Sequence, residues 1–420
     1  MSLAACLAAC GGSNNNSTTD GGKGSGSGSG SDSEPGVYAI PLTTPDESFW
    51  GPQLMAGGAS FTMDLDTGST TTGIAGSACT NCGVSPVYVP SGSAVDEHET
   101  ASTMYDDGTG WSGEIYNDTI TLGDGTPSAT LAIVDITAQS FATNDSSDGF
   151  FYENQYQGIL GMGPPLNAEP DTGAYFDTIT TTGGVTPIVA FELCADGGTM
   201  WLGGYDASHG GSGQFTPLDA ITEDNAFYSV DLTGASLGSA ALSDNTSGDF
   251  SAWVVDTGTS LFYVPTALDQ AFLAQLNQDL QNEPTLFGSG AQFTDEGCLS
   301  TTATDAQIEA MLPPFVMTMK GMNGAPDIKV SAGPFESYLY DQGGGSICLG
   351  LDDAQASGPG AATMGDQIMQ SFITVVDEKN QRIGWVPDTY CSTHPGARVH
   401  DRERFHPHPP KPHHPKRHYH

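Results

Sequence analysis

Positive charge is what this chain most lacks. Of its 420 residues, 11 are Lys or Arg and 50 are Asp or Glu. Six of the bases (Arg398, Arg402, Arg404, Lys411, Lys416 and Arg417) fall in the final stretch 394–420 beside two acids. The remainder therefore holds 48 acids against 5 bases. A body of that sign repels phosphate backbones and anionic headgroups, which excludes nucleic acid and anionic lipid faces as partners. Two uses fit such a charge. One is solubility or salt adaptation. The other is a working pH close to the carboxylate pKa range, where much of the charge is titrated away. Crowded carboxylates should then have pKa values raised by folding, so heat stability is expected to be greater at about pH 4 than at about pH 8.

Long apolar runs are also missing. No internal segment reaches the ~18 apolar residues of a membrane-spanning helix. Long helical periodicities are scarce. Short runs rich in Val, Ile, Thr, Tyr and Phe, broken by 55 glycines and by Asp and Asn, read as an all-β protein. The length suits two lobes with separate cores.

Cysteine is sparse, with eight residues. Cys79-Thr-Asn-Cys82 has the spacing of a redox or zinc pair, but no second such pair and no thioredoxin-like context accompany it. With Cys6 and Cys10 set aside, the count is even. That suits an oxidising compartment and leaves every pairing open.

The ends read as accessories. Residues 1–10 look like a truncated signal segment. Leu7-Ala-Ala-Cys10-Gly11 resembles a bacterial lipobox, with Cys10 the candidate for lipidation, but it lacks a basic n-region and almost any h-region. Residues 11–35 form a Gly/Ser linker and 393–420 a disordered His/Pro-rich basic tail. The tail's histidine spacing matches no defined metal site, so no metal is expected. These features place the protein in a bacterial cell envelope, with Cys10 as its only route to a membrane. Without a real anchor it would be secreted. No zymogen pro-segment is visible before the first strand, so activity without proteolytic trimming is expected.

Internal duplication is the strongest signal. Phe61-Thr-Met-Asp-Leu-Asp66-Thr67-Gly68-Ser69 and Ala252-Trp-Val-Val-Asp256-Thr257-Gly258-Thr259 each join an apolar strand to an acidic turn, 190 residues apart. About a hundred residues after each turn comes an apolar pair followed by Gly: Gly158-Ile-Leu-Gly161 and Thr363-Met364-Gly365-Asp366. Gly suits places where two backbones pass closely. A third Asp171-Thr172-Gly173 follows Glu169-Pro170 rather than a strand, and reads as an ordinary loop. The tripeptide alone is therefore weak; strand context and duplication carry the signal. Val375–Trp385 reads as a hairpin turned at Glu378–Gln381.

With these motifs in view, residues 36–391 resemble the pepsin-like aspartic endopeptidases. Further matches are Leu202-Gly-Gly-Tyr-Asp206, the Phe372–Asp377 and Ile383-Gly384 pair, and a flap at Tyr105-Asp-Asp-Gly-Thr-Gly-Trp111 of nepenthesin-like form. The resemblance implies a bilobal fold of two pseudo-symmetric β-barrel-like lobes, 36–192 with the flap and 193–392, and a cleft between them. It implies a monomer that takes peptide or unfolded protein and uses no cofactor. The catalytic pair would be Asp66 and Asp256. Thr67 and Thr257 would bond the turns to each other, Gly68 and Gly258 would permit the tight approach, and Ser69 and Thr259 would bond the outer carboxylate oxygens. Tyr105 would cover the bound peptide. The implied disulfides are Cys79–Cys82, Cys298–Cys348 and Cys194–Cys391.

The chemistry follows from the charges. Two carboxylates at ~3 Å and an effective dielectric of ~20 repel by roughly 5 kcal/mol. That is about 4 pKa units, so the pair ionises in two separated steps that belong to both groups. The monoanion can deprotonate water and protonate a leaving amine without metal or covalent intermediate. The alternative is a pepsin-fold protein that binds peptide or protein with little catalysis; intact turns around both aspartates favour the enzyme. Two positions depart from the family. Gly73 stands where a Trp commonly bonds the flap Tyr, and Gln157 stands where Asp is usual. Both put flap and pocket shape in question rather than the dyad, with Trp111 as a candidate replacement for the missing indole.

Overall fold

The computed structural model describes residues 36–393 except 46–48, 106–107, 124, 142–150, 152–155, 244–247 and 295–296. Cys10, the linker at 11–35 and the tail from 394 onward lie outside the described residues. Thr393, expected at the start of the tail, instead ends a short helix, Tyr390–Thr393.

Strand Ala59–Asp66 shows how the pattern sets the site. Phe61, Met63 and Leu65 alternate and are fully buried. With a period of two, Asp64 and Asp66 must face the other way. The core side of the strand thus aims Asp66 out of the lobe at the strand's end. Trp253–Val255 does the same for Asp256, and Trp253 and Val255 are buried in the same contiguous cluster as Phe61, Met63 and Leu65, so the two halves share a core rather than keeping the separate cores expected of two lobes.

The duplication seen in the sequence is a duplicated topology. Ala59–Asp66 pairs in parallel with Gly158–Gly161, which also pairs antiparallel with Gly73–Ala75. Trp253–Val255 pairs in parallel with Thr363–Met364, which also pairs antiparallel with Phe262–Val264. In each half the later strand is threaded between the two strands that flank the acidic turn. A Cβ on Gly161 would strike the backbone of Thr70, and one on Gly365 the backbone of Thr259 and Leu261. Those glycines are what let the chain cross behind each turn.

The halves share one sheet of 13 strands. The hairpin Phe372–Asp377 and Arg382–Pro387, turned over Glu378–Asn380, docks on Ile188–Cys194, which continues through Gly197–Leu202 and Tyr38–Thr43 into the first lobe. The lobe boundary drawn at 192/193 falls inside strand Ile188–Cys194, so the two halves are joined there by a sheet rather than by a linker.

The all-β reading passes over several helices, of which the longest among the described residues is in the second lobe. Thr266–Asn282 is a 17-residue helix in the second lobe. Leu268, Phe272, Leu276 and Leu280 recur every fourth residue and are buried. Each such side chain stabilises by about 2 kcal/mol. Its stripe is narrow and its remaining faces polar, which is why it does not stand out in a Gly-rich sequence.

The disulfides Cys79–Cys82, Cys194–Cys391 and Cys298–Cys348 are all formed. Cys298 and Cys348 face each other across an antiparallel pair. Cys194–Cys391 fastens the helix Tyr390–Thr393 to the central sheet, and loops of such length stabilise by about 3–5 kcal/mol when closed.

Candidate active site

The two acidic turns meet across the interface of the halves and hold each other. Thr67 Oγ1 accepts from the Thr257 amide at 3.0 Å and donates to the Val255 carbonyl at 2.9 Å. Thr257 Oγ1 accepts from the Thr67 amide at 3.1 Å and donates to the Leu65 carbonyl at 2.7 Å. Both threonines are buried. Each buried hydrogen bond contributes about 1 kcal/mol net, and loss of one hydroxyl would strand a donor and an acceptor.

Each aspartate is oriented by its own turn. Asp66 Oδ1 accepts from the amides of Gly68 at 2.7 Å and Ser69 at 3.1 Å, and Ser69 Oγ donates to Oδ2. Asp256 Oδ1 accepts from the Gly258 amide at 2.8 Å, and Thr259 Oγ1 donates to Oδ2 at 2.7 Å. Asp66 and Asp256 are 0% and 1% exposed. A Cβ on Gly68 would lie 2.5 Å from Asp256 Oδ2, and one on Gly258 would strike the Asp66 carboxylate. Each carboxylate therefore leans over the opposite turn, and only glycine leaves room. This is an arrangement of two facing carboxylates, each with one oxygen tied to its own backbone.

Tyr105 closes strand Val95–Met104 and begins the flap turn, with its amide donating to the Thr109 carbonyl at 2.8 Å. It packs into an apolar cluster with Trp111, Ile115, Val134, Ile136 and Ile159. Among the described residues, Cys194, Asp388 and Cys391 have metal-ligand spacing, but both sulfurs are engaged in the disulfide.

A model of the family described as eukaryotic aspartyl protease matches residues 56–388. The chain belongs to this family. It is similar to an aspartic protease of Phaffia rhodozyma, 28% identical over 345 residues covering 81% of this chain and 76% of that protein. It is also similar to a beta-secretase of Strongylocentrotus purpuratus, 26% identical over 366 residues covering 79% of this chain and 64% of that protein. With rhizopuspepsin-2 of Rhizopus niveus it shares 31% identity over 264 residues, 57% of this chain and 60% of the relative.

As an aspartyl protease, the chain handles its two departures locally. At the first, Trp111 Nε1 donates to Tyr105 OH at 2.9 Å, with both side chains buried. A Cβ on Gly73 would lie 3.8 Å from Trp111 Cζ2 and 3.0 Å from Ile136 Cδ1. The Trp111 indole thus lies in van der Waals contact with position 73, while Ile136 is what crowds a side chain there. The indole reaches the flap tyrosine from the facing flap strand rather than from the active-site loop. Trp111→Phe should keep the ring packing and lose the bond, lowering kcat/KM about tenfold. Steady-state kinetics on a peptide substrate checks this, and an unchanged kcat/KM would show that the bond does not position Tyr105 for catalysis. At the second departure, Gln157 Oε1 accepts from the Thr62 amide at 2.8 Å. An amide oxygen supplies the acceptor there without adding charge.

Some supporting residues left no local signal. Asn167 Nδ2 donates to the Gly68 carbonyl at 2.9 Å, and Thr70 Oγ1 to the Pro164 carbonyl at 2.7 Å. The third Asp-Thr-Gly is a loop, with Asp171 at φ 63°. It is nevertheless engaged: Thr172 Oγ1 lies 2.8 Å from Thr71 Oγ1, five residues beyond Asp66. Only tertiary folding brings that loop to the active-site turn.

Proposed function

We propose that the protein is an acid-active aspartic endopeptidase that cleaves extended peptides with a water molecule held between Asp66 and Asp256. The carrying observation is the reciprocal Thr67–Thr257 bonding, which fixes the two carboxylates against each other. In the working state one proton is shared by the pair. The ionised carboxylate takes a proton from water as it attacks the scissile carbonyl carbon. The protonated partner gives its proton to the carbonyl oxygen. The resulting tetrahedral diol collapses as the dyad returns a proton to the departing amine. Ser69 and Thr259 hold the outer oxygens, so the inner oxygens remain aimed at the water. Tyr105, oriented by Trp111, roofs the reacting bond and limits water entry.

An acidic working range follows from the need for a monoanionic pair, and the acid-rich surface is compatible with it. The three disulfides support action in an oxidising compartment such as the periplasm or cell exterior. The test is hydrolysis of acid-denatured haemoglobin at about pH 4, within the carboxylate range, with and without pepstatin. Pepstatin-sensitive cleavage is the expected result. Absence of cleavage by folded protein, with or without N-terminal trimming, would overturn the reading.

A further inference from the structure

The short loop Cys79-Thr-Asn-Cys82 is closed by its disulfide and grips the strand behind the flap. That strand, Ala129–Ser140, pairs antiparallel with Gly110–Ile120, and Gln139 stands opposite Trp111 in the register. Asn81 and Gln139 hold each other reciprocally. Asn81 Nδ2 donates to the Gln139 carbonyl at 2.9 Å, and the Gln139 backbone amide donates to Asn81 Oδ1 at 3.2 Å. In return Gln139 Nε2 donates to the Asn81 carbonyl at 2.6 Å. The other end of the Gln139 side chain, Oε1, accepts from the Phe151 amide at 3.2 Å. Gln139 is 8% exposed, so its side-chain amide needs partners, and it has them at both ends. Cys82, Phe151, Trp111 and Tyr105 pack in one apolar cluster, with Cys79 against it.

We propose that Asn81 and Gln139 are positioning residues that hold the flap hairpin at Trp111 and so set where Tyr105 stands. Strand Gly73–Ala75 pairs with Ala129–Ser140 only as far as Ile136. Further along, the Asn81 side chain presents a donor and an acceptor to the Gln139 backbone, as a neighbouring strand would. The strand end opposite Trp111 is thereby held against fraying. Trp111 Nε1 then donates to Tyr105 OH at 2.9 Å, which carries the restraint to the flap tyrosine. The disulfide keeps the loop that delivers Asn81 short and closed. Removing the Gln139 amide would strand the Asn81 carbonyl and the Phe151 amide together.

This proposal rests on the protease reading for its kinetic arm only. The variants are Gln139→Met, which keeps nearly the same shape and loses the side-chain bonds to Asn81 and Phe151, and Asn81→Ala, which loses those to the Gln139 backbone. The first readout is hydrogen exchange of tryptophan indole N–H groups by NMR, which needs no activity. The Trp111 indole should exchange about five- to tenfold faster in each variant. The Trp50 and Trp253 indoles, bonded to backbone carbonyls elsewhere, should stay near wild type. In active enzyme, kcat/KM for a peptide should fall about five- to tenfold in each variant. Unchanged Trp111 exchange in folded Gln139→Met would overturn the proposal, whatever the activity. So would an equal rise at Trp50 and Trp253, which would mark general loosening, or selective loosening of Trp111 with kcat/KM unchanged. If Gln139→Met does not fold, Asn81→Ala, at an exposed position, carries the test alone. A wild-type protein that cleaves nothing would remove the protease reading and leave the exchange result to decide the clamp.

Discussion

Asp256→Asn is expected to lower kcat/KM for peptide hydrolysis by about four orders of magnitude while leaving the fold intact. The substitution keeps an oxygen for the Gly258 amide, and Thr259 still has a polar partner. What disappears is the group that carries or accepts the shared proton. General acid–base participation alone is worth about 10²- to 10⁴-fold, and here both functions pass through the same pair. Asp66→Asn should do the same, and the double variant should be little worse than either single because the pair acts as a unit. Asp171→Asn is the matched control: it alters the third Asp-Thr-Gly and should leave kcat/KM within about twofold, since Asn tolerates the positive φ seen there. The measurement is steady-state cleavage of a fluorogenic peptide, with melting temperatures recorded for each variant. More than about one per cent of wild-type activity in homogeneous Asp256→Asn protein would remove Asp256 from the mechanism.

The second large effect concerns stability against pH. Burial raises the Asp135 carboxyl to about 6, helped by repulsion from Glu114 across the strand pair. Burial also raises Glu192 to about 7; the His209 bond opposes this rise and Asp388 reinforces it. Burial raises Asp219, Glu378 and Asp388 as well. For each of these groups the folded pKa exceeds the unfolded one. Their contribution is therefore complete below the unfolded carboxyl range and is lost as pH rises through the folded values. The window runs from about pH 4 to about pH 7, with the Asp135 part lost before the Glu192 part. Asp118 runs the other way: burial would raise it, but bonds from Ser91, Tyr88 and Thr119 outweigh burial and lower it. Asp206 is lowered as well, by the bonds from Ser208, but two lowered groups against several raised ones leave the sum in favour of acid.

The melting temperature should therefore fall by several degrees between about pH 4 and about pH 8. Asp135→Asn isolates one part. Its carboxylate is 7% exposed and Oδ1 has no hydrogen-bond partner, so ionisation there is poorly compensated. After allowance for partial screening, the loss at this site is about 2 kcal/mol. The variant should melt a few degrees above wild type at about pH 8 and close to it at about pH 4. Calorimetric scans at the two pH values decide this. A wild type more stable at the higher pH would show that the lowered groups dominate.

The route from sequence to site was short where chemistry is local. A turn of Asp-Thr-Gly-Ser or Asp-Thr-Gly-Thr after an alternating apolar strand specifies which side chain leaves the strand end, and Gly158, Gly161 and Gly365 announce the crossings behind it. Duplication of that unit was enough to pair Asp66 with Asp256 and to expect a bilobal β fold. The three disulfides came from family resemblance, since no spacing rule selects among pairings of six cysteines.

Other features were illegible because they depend on distant partners. The Thr266–Asn282 helix is decided by the core it packs on. The indole beside Gly73 comes from residue 111, on another strand. Glu169 and Thr172 meet Thr71 only because folding lays their loop against the active-site turn. The same holds for Asp135 and Glu192, which look like any other acids among 50 until burial removes their water. By itself the sequence determined the two acidic turns and the duplicated frame, because hydrophobic alternation and turn chemistry act over a few residues. Only the tertiary structure decided what steadies the flap and which acids feel the pH, because desolvation and contact are properties of neighbours far apart in the chain.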